Sequence, residues 1–374
     1  MVTARIINRW LWGSLVMMGL LLLVACSEDS SDDTPQRGNL CLLSVTRTDD
    51  EHTHLEEGDI RLFVTTDNTS QTGNFNWTTG SWESTDLSVK ENTQYYFYGY
   101  WPNTIEGNTI EGTLSAYNGK FSNGADLTLS NLPVFTDMDV LVVVGVRKVE
   151  EDENHNVDNP HTVATQGEFG YYSGLAGNNY VNLLMDHLYS QLKLQFCVDK
   201  DYYALRRIHL KTVTLKSSYV AKDVKVTATV NLRASEGLAD RVSFSDPAIP
   251  DEENPITPET WPLLKAGDSD LGAIGYIDLP SEEATPQVLT QTVKCPYRLF
   301  DTDGTYLTIV STYDVYDAAG TTLIRENQTV INKVKVSSLM APGMLKTLTL
   351  TVTPTYLYVL ADPDLDTPTA TIKE

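Results

Sequence analysis

Apolar and polar residues alternate with a period of two along several stretches of the chain. Residues 192–198, 224–232 and 347–353 each follow this pattern. Because successive side chains of a strand point to opposite faces, the alternation predicts β-strands with one buried and one solvated face. Residues 140–144 are continuously apolar, which predicts a strand buried on both faces.

Turn residues separate these strands, and helical periodicity is scarce. Ala319-Gly320 lies between two apolar runs, as does Asp303-Gly304, and both pairs are typical of hairpin turns. One short segment, 180–192, is compatible with either a helix or the approach to a strand. Two long polar stretches, 150–179 and 246–270, are predicted to be surface loops.

The spacing of the strands predicts an all-β fold with two β-sandwich domains in tandem. We expect an N-terminal sandwich over residues 39–188 and a C-terminal sandwich over 189–353. Residues 354–374 are then a C-terminal tail. A chain of 374 residues is long enough for two such domains.

The N-terminus has the pattern of an export signal. Arg5 and Arg9 precede an apolar run that ends in Leu23-Val24-Ala25-Cys26. This ending resembles a bacterial lipobox, which implies a lipoprotein signal over residues 1–25 and lipidation of Cys26. Residues 26–38 are polar and acidic and are predicted to form a short tether. The expected location is the surface of the outer membrane.

Net charge and cysteine content narrow the class of protein further. The whole chain has a net charge of −23; removal of residues 1–25 takes away two arginines and no acid, which leaves −25. Such a charge repels nucleic acid, so nucleic acid is excluded as a partner. Beside Cys26 the chain has three cysteines, Cys41, Cys197 and Cys295. A bridge between Cys197 and Cys295 is left open.

The chain carries no recognisable catalytic motif. It lacks a nucleophile elbow, a phosphate-binding glycine loop and a metalloprotease signature. His52 and His54 stand in an acidic stretch without the further ligands that a zinc site needs. We therefore predict neither an enzyme nor a resident metal or cofactor.

One arginine lies where proteolysis would detach a strand. Residues 40–45 predict a short apolar strand, followed by Thr46-Arg47 and then an acidic stretch up to Glu57. An exposed arginine in a loop is open to tryptic cutting. Loss of the strand would leave unpaired backbone groups that an incoming strand could pair with.

Several segments together resemble the fimbrillin family of Bacteroidetes. Beside the lipobox and the strand ending at Arg47, they are Phe75-x-Trp77-x-x-Gly80-x-Trp82, Tyr96-x-Tyr98-Gly99-Tyr100-x-Pro102 and Met185-Asp186-His187-Leu188. The resemblance implies a pilus subunit precursor that is cut by an arginine-specific protease, here after Arg47. It also implies that other fimbrillin subunits are the partners, through donor-strand exchange. The implied fimbrium contributes to adhesion, with a host or bacterial surface ligand as a further partner.

The tail after Pro354 holds the candidate donor strand. Its apolar residues are Tyr356, Leu357, Tyr358, Val359 and Leu360, and residues 369–372 are a weaker second candidate. The alternative function is a non-polymerising surface lipoprotein that binds glycans through N-terminal aromatic residues. Trp77, Trp82 and Trp101 are the candidates for stacking on sugar rings, although tryptophans more often fill a sandwich core.

Overall fold

The computed structural model describes residues 37–48, 53–84, 87–134, 136–150, 162–174, 179–221, 225–233, 241–245, 258–296, 306–335, 345–356 and 363–373. Within these residues the fold is all-β, as predicted. The signal peptide, residues 26–36 of the predicted tether with Cys26, and residues 357–360 of the candidate donor strand lie outside the described residues. So do His52 and the predicted turn at Asp303-Gly304. The last two residues of the predicted tether, 37 and 38, instead belong to the first strand, Arg37–Arg47.

The part of the chain before residue 188 contributes thirteen of the described strands. Strands β1 to β13 span Arg37–Arg47, Asp59–Thr65, Ser70–Thr78, Ser81–Glu83, Ser88–Lys90, Gln94–Trp101, Thr104–Ile105, Asn108–Thr109, Glu111–Ala116, Ala125–Pro133, Leu141–Val149, Gly170–Tyr172 and Asn179–His187. Two short 3-10 turns, Tyr117–Gly119 and Phe121–Asn123, join β9 to β10.

The later part contributes the remaining described strands and one short helix. Strands β14 to β25 span Tyr189–Val198, Arg206–Ala221, Lys225–Leu232, Val242–Phe244, Pro258–Leu264, Ile277–Asp278, Gln287–Val288, Val293–Pro296, Tyr306–Asp317, Leu323–Lys335, Leu345–Tyr356 and Pro363–Lys373. Helix α1 spans Lys200–Leu205, and a 3-10 segment spans Ser269–Ile274.

The predicted alternation reappears as alternating burial. Strand β16 alternates half-buried and buried side chains along its whole length. The apolar positions of β14 and β24, such as Leu194 and Leu350, are fully buried. Residues 140–144 are all buried, as their continuous apolar run predicts.

The largest N-terminal sheet curls until its two ends meet. Its strand order is β4-β3-β2-β6-β11-β13-β1-β5, and β12 pairs with β6. The Nε2 of Gln71 in β3 donates to the Ser88 carbonyl in β5 at 2.5 Å. Gly73 lies so close to Leu87 that an added Cβ would stand 2.7 Å from the leucine Cγ. The curled sheet therefore encloses one apolar core, which contains Leu40, Leu42, Val45, Trp82, Phe97 and Met185.

A second sheet, in the order β17-β16-β10-β9, takes strands from both predicted domains. Strand β16 pairs antiparallel with β10, with Ala125 opposite Leu232. Strand pairing thus crosses the predicted boundary at residue 188, although the division into two domains stays a prediction. Side chains of this sheet, including Leu127 and Val230, belong to the same apolar cluster as Tyr98 and Tyr100 of β6.

Two further five-stranded sheets follow, and β7 and β8 form a separate two-stranded sheet. One has the order β20-β14-β24-β25 with β21 beside β14, and the other has the order β18-β15-β22-β23 with β19 beside β15. Their apolar faces share one core, to which Phe196 and Leu350 contribute from the first sheet and Leu210 and Ile309 from the second.

Three local predictions were wrong or incomplete. Residues 180–192, for which a helix or the approach to a strand was left open, contain nearly all of β13 and the first residues of β14. The described α-helix instead follows Asp199, whose side chain caps it by accepting from two backbone N–H groups. Both predicted loops contain a strand, β12 and β18 respectively. In the first, Phe169 and Tyr171 are buried and stack on Tyr98 and Phe97.

The structure excludes the bridge between Cys197 and Cys295 that the sequence left open. Cys197 is a free, buried thiol with its sulfur 3.4 Å from the Thr351 hydroxyl. Cys295 pairs with Ser190 on the same strand as Cys197. The two cysteines are thus about seven strand residues, roughly 23 Å, apart. Bridged cysteines need Cα atoms within about 7 Å of each other.

Candidate functional site

Strand β1 is an interior strand of the curled sheet. It pairs in parallel with β13, from Leu40 opposite Asn179 to Arg47 opposite Met185. On its other edge, its first residues pair antiparallel with β5. Towards its end that edge meets residues 53–55, where the Leu55 N–H donates to the Val45 carbonyl at 2.9 Å. The strand therefore has backbone partners on both sides.

The side chains of β1 fill the core of the curled sheet. Leu40 and Leu42 are each 4% exposed and Val45 is 1% exposed. The pairing with β13 shifts by one residue between Leu42 and Ser44. This bulge moves the inward positions from even-numbered to odd-numbered residues, because neighbouring strand residues face opposite sides. Burying three aliphatic side chains of this size stabilises the attachment of β1 to the curled sheet by about 5–9 kcal/mol.

Arg47 is the last residue of β1 and lies less freely than the sequence predicted. Its N–H donates to the Thr53 carbonyl at 3.0 Å, and the N–H of Thr48 donates to the Met185 carbonyl at 2.9 Å. The arginine side chain is 27% exposed and lies 3.8 Å from Glu57. The bond after Arg47 is therefore part of a paired segment, and a protease reaches it only after local opening.

The two other arginines near β1 have different surroundings. Arg37 is the first residue of β1 and pairs with Lys90. Arg61 lies inside β2, between β3 and β6, and its guanidinium donates to Asn74 at 2.9 Å. Arg61 is thus enclosed by its neighbours.

A polar cluster stands next to the end of β1. The Thr48 hydroxyl donates to Asp186 Oδ1, and the same oxygen accepts the His187 N–H at 2.8 Å. The His187 ring lies 2.6 Å from Asp139 Oδ2. Burial alone would lower the pKa of His187, but the hydrogen bond and charge of Asp139 outweigh it and raise the pKa above its usual value. Asp139 Oδ1 accepts the Val140 N–H at 2.8 Å.

Sequence reasoning did not bring His187 together with these neighbours. Thr48 and Asp186 are 138 residues apart, so neither predicts the other. The available signal was Met185-Asp186-His187-Leu188, which carried part of the family resemblance.

The C-terminal tail is only partly described. Tyr356 of the candidate donor strand ends β24 and pairs with Pro363. The weaker candidate, residues 369–372, belongs to β25, which lies at the edge of its sheet. Strand β25 is held by side chains as well as by β24: Arg206 pairs with Asp366 at 2.8 Å, and the Asn332 amide donates to the Ala370 carbonyl at 2.5 Å.

The N-terminal tryptophans do not form a common sugar-binding platform. Trp82 and Trp101 are each 5% exposed. Trp77 is half-buried and meets Trp82 edge to face, with ring centroids 5.3 Å apart. The Trp101 indole donates to the Glu57 carbonyl at 2.9 Å. The prediction that these rings fill a core accounts for Trp82 and Trp101.

A surface pocket of about 530 Å³ lies elsewhere, close to the bridge between Thr136 and Lys294. Its lining combines one half-buried aromatic ring with polar and charged side chains: Trp261, Pro262, Asp137, Lys265, Thr290, Gln291 and Thr292. Among the described residues, no three histidine, cysteine, aspartate or glutamate side chains gather as metal ligands. None of the described helices has the length and apolar character needed to cross a membrane.

Comparison with solved structures finds proteins to which this chain is similar. The fold is similar to solved fimbrial and adhesion proteins of Bacteroides. A fimbrial protein from Bacteroides vulgatus aligns with a TM-score of 0.43 and 12% identity over 90% of this chain and 99% of that chain. A candidate cell adhesion protein from Bacteroides fragilis aligns with a TM-score of 0.41 and 10% identity, over 91% and 97% of the two chains. No protein-family model and no curated protein matches the sequence.

Proposed function

We infer that this protein is the lipidated precursor of a fimbrial subunit, anchored through Cys26 and activated by a cut after Arg47. The observation that carries the proposal is that β1 has partners on both edges and three side chains in the core, yet follows the N-terminal tether directly. Once the chain is cut after Arg47, only non-covalent contacts hold β1. Its departure would leave β13 on one side and β5 with residues 53–55 on the other.

The vacancy would favour capture of another strand. It would expose the part of the core that Leu40, Leu42 and Val45 cover, which corresponds to about 5–9 kcal/mol of lost burial. The unpaired N–H and C=O groups of β13 would add to this cost, since each missing backbone hydrogen bond is worth about 0.5–1.5 kcal/mol. An apolar strand from a second subunit would restore both the buried apolar surface and the backbone hydrogen bonds, as in β-strand addition to an open sheet edge.

The lipid anchor and the strand act together in this proposal. Ten residues lie between Cys26 and Arg37, so this stretch spans at most about 40 Å. After a cut behind Arg47 the fold is joined to the anchor only through β1, so the departure of β1 opens the sheet and separates the fold from the anchor in one step. The donor is a C-terminal segment of a neighbouring subunit: residues 356–360 remain the first candidate, and β25 is the second because it is an edge strand.

Two arginine variants test the cut. Arg47→Ala should block both the appearance of an N-terminus at Thr48 and the formation of heat-sensitive ladders on gels after treatment with an arginine-specific protease. Arg37→Ala is the matched control at the other end of the same strand, and it should still be cut after Arg47 and form ladders. Ladders of equal intensity from both variants would contradict the proposal.

A second candidate function, glycan capture, is favoured by the pocket that contains Trp261. One aromatic face beside a carboxylate and an ammonium group is a chemistry that suits a sugar ring with several hydroxyls. Trp261→Ala should remove the fluorescence change on addition of an oligosaccharide, whereas Trp77→Ala should leave it unchanged. No fluorescence change in the unaltered chain across a panel of neutral and charged oligosaccharides would eliminate this candidate.

A further inference from the structure

Thr48, the residue that follows the proposed cut, is held through both its backbone and its side chain. Its N–H donates to the Met185 carbonyl at 2.9 Å, and its hydroxyl donates to Asp186 Oδ1. The preceding N–H, that of Arg47, donates to Thr53 in the opposite direction. A protease binds its substrate as a free extended segment, so all three contacts must break before the bond can enter an active site.

Asp186 is itself fixed in place. The oxygen that accepts from Thr48 also accepts the His187 N–H at 2.8 Å. The His187 ring is in turn held by Asp139 at 2.6 Å, which anchors this end of β13 to the residues that lead into β11. The carboxylate therefore offers Thr48 an acceptor that does not have to be ordered first. Hydrogen bonds to an ionised acceptor are roughly twice as strong as neutral ones.

Resting on the proposed function, we propose that Asp186 is a latch on Thr48 that sets how fast the bond after Arg47 can be cut. The backbone contacts of Thr48 resemble those elsewhere in the sheet, and any β-strand would have them. The side-chain bond to Asp186 is additional and lies immediately beside the scissile bond. Its effect is to slow the cut, so that β1 stays covalently joined to the fold until enough protease is present.

The expected magnitude follows from how folded proteins are cut. When opening and closing are faster than cleavage, the rate of cutting follows the population of the open form. Loss of one hydrogen bond to a charged group raises that population by about tenfold or more. Trypsin at limiting concentration on the folded full-length chain should report this change directly.

The test compares Thr48→Val and Asp186→Ala with the unaltered chain. The readout is the rate at which the product beginning at residue 48 appears in intact-mass spectra. The rates for Thr48→Val and the double variant are divided by the rate for a peptide of residues 40–55 that carries Thr48→Val, and the other rates are divided by the rate for the unaltered peptide. This removes any preference of trypsin for threonine or valine. Both variants should show a normalised rate about tenfold higher, and the double variant should be no faster than the faster single one, because both remove the same bond.

The chain offers a matched control for the threonine substitution. The Thr290 hydroxyl also forms a hydrogen bond with an aspartate, Asp270, far from β1 in the sequence. Thr290→Val should leave the normalised rate after Arg47 unchanged. A general rise in all variants, including this one, would show that lost stability and not the latch governs cutting, and would overturn the proposal.

The outcomes separate the latch from the proposed function. Equal normalised rates in the unaltered chain and both latch variants would overturn the latch while leaving the cut after Arg47 intact. No cut after Arg47 in any folded chain, with ready cutting of the peptide, would overturn the proposed cut itself. If Asp186→Ala does not fold, Asp186→Asn decides: a smaller rise confined to Arg47 supports the latch, and no rise overturns it.

Discussion

Replacing Leu42 by alanine should loosen β1 much more than the same replacement at Leu43. Leu42 is 4% exposed in the core of the curled sheet, whereas its neighbour Leu43 lies at the bulge with an intermediate exposure. Truncating a buried leucine to alanine costs about 2–5 kcal/mol. At Leu43 the side chain loses less buried surface, and we expect a cost below about 1 kcal/mol.

The same difference should appear in two measurements. In the uncut chain, denaturant unfolding can be followed by fluorescence from Trp82 and Trp101, which lie in the same core as Leu42. After cutting behind Arg47, a cost of about 2 kcal/mol should speed release of β1 about 30-fold, against fivefold or less for Leu43→Ala. Release can be followed by size-exclusion chromatography with an excess of unlabelled β1 peptide. Equal effects at both leucines would refute the reasoning, because they would mean that β1 does not place Leu42 in that core.

Three further substitutions test other parts of the fold. The ring of His209 stacks on Tyr276 and lies at a tilt against Tyr316, and burial lowers the pKa of His209. The unaltered chain should therefore lose stability as the pH falls below about 6.5, and His209→Phe should lose less. Melting temperatures that fall equally in both chains from pH 8 to 4.5 would contradict this. Gly73→Ala should destabilise the curled sheet by about 1–3 kcal/mol in denaturant titrations, since its methyl group would press on Leu87. Asp199→Ala should cost about 1 kcal/mol by removing the cap of α1, and an unchanged unfolding midpoint would show that the cap contributes nothing.

The sequence predicted those strands whose burial is one-sided and regular. Strands β14, β16 and β24 follow a simple alternation, because each has one face in a core and the other in solvent or half-buried. The continuous apolar run at 140–144 also predicted burial correctly, since both faces of that segment are covered. The same reasoning failed for β12 and β18, whose surroundings are rich in polar residues, glycine or proline. Burial there comes from partners distant in the sequence.

The candidate site was predictable only in part. The existence of an apolar strand ending at Arg47 follows from local sequence, and the structure describes it as β1. Its parallel partner β13 does not, because no turn connects the two strands and the pairing spans more than a hundred residues. The contacts of Thr48 with Asp186 depend on that pairing. The sequence therefore suggested that the chain at Arg47 and Thr48 is an open loop, whereas both residues form hydrogen bonds in the structure.

The parallel pairing of β1 has a consequence for the order in which the protein is completed. Residues 37–47 leave the ribosome early, yet their partner at 179–187 emerges more than 130 residues later. Contacts of such long range close late, since the entropy of a large loop must be lost first. Until those residues have emerged, the chain carries an apolar segment without its partner strand. This segment is prone to aggregation unless a chaperone shields it.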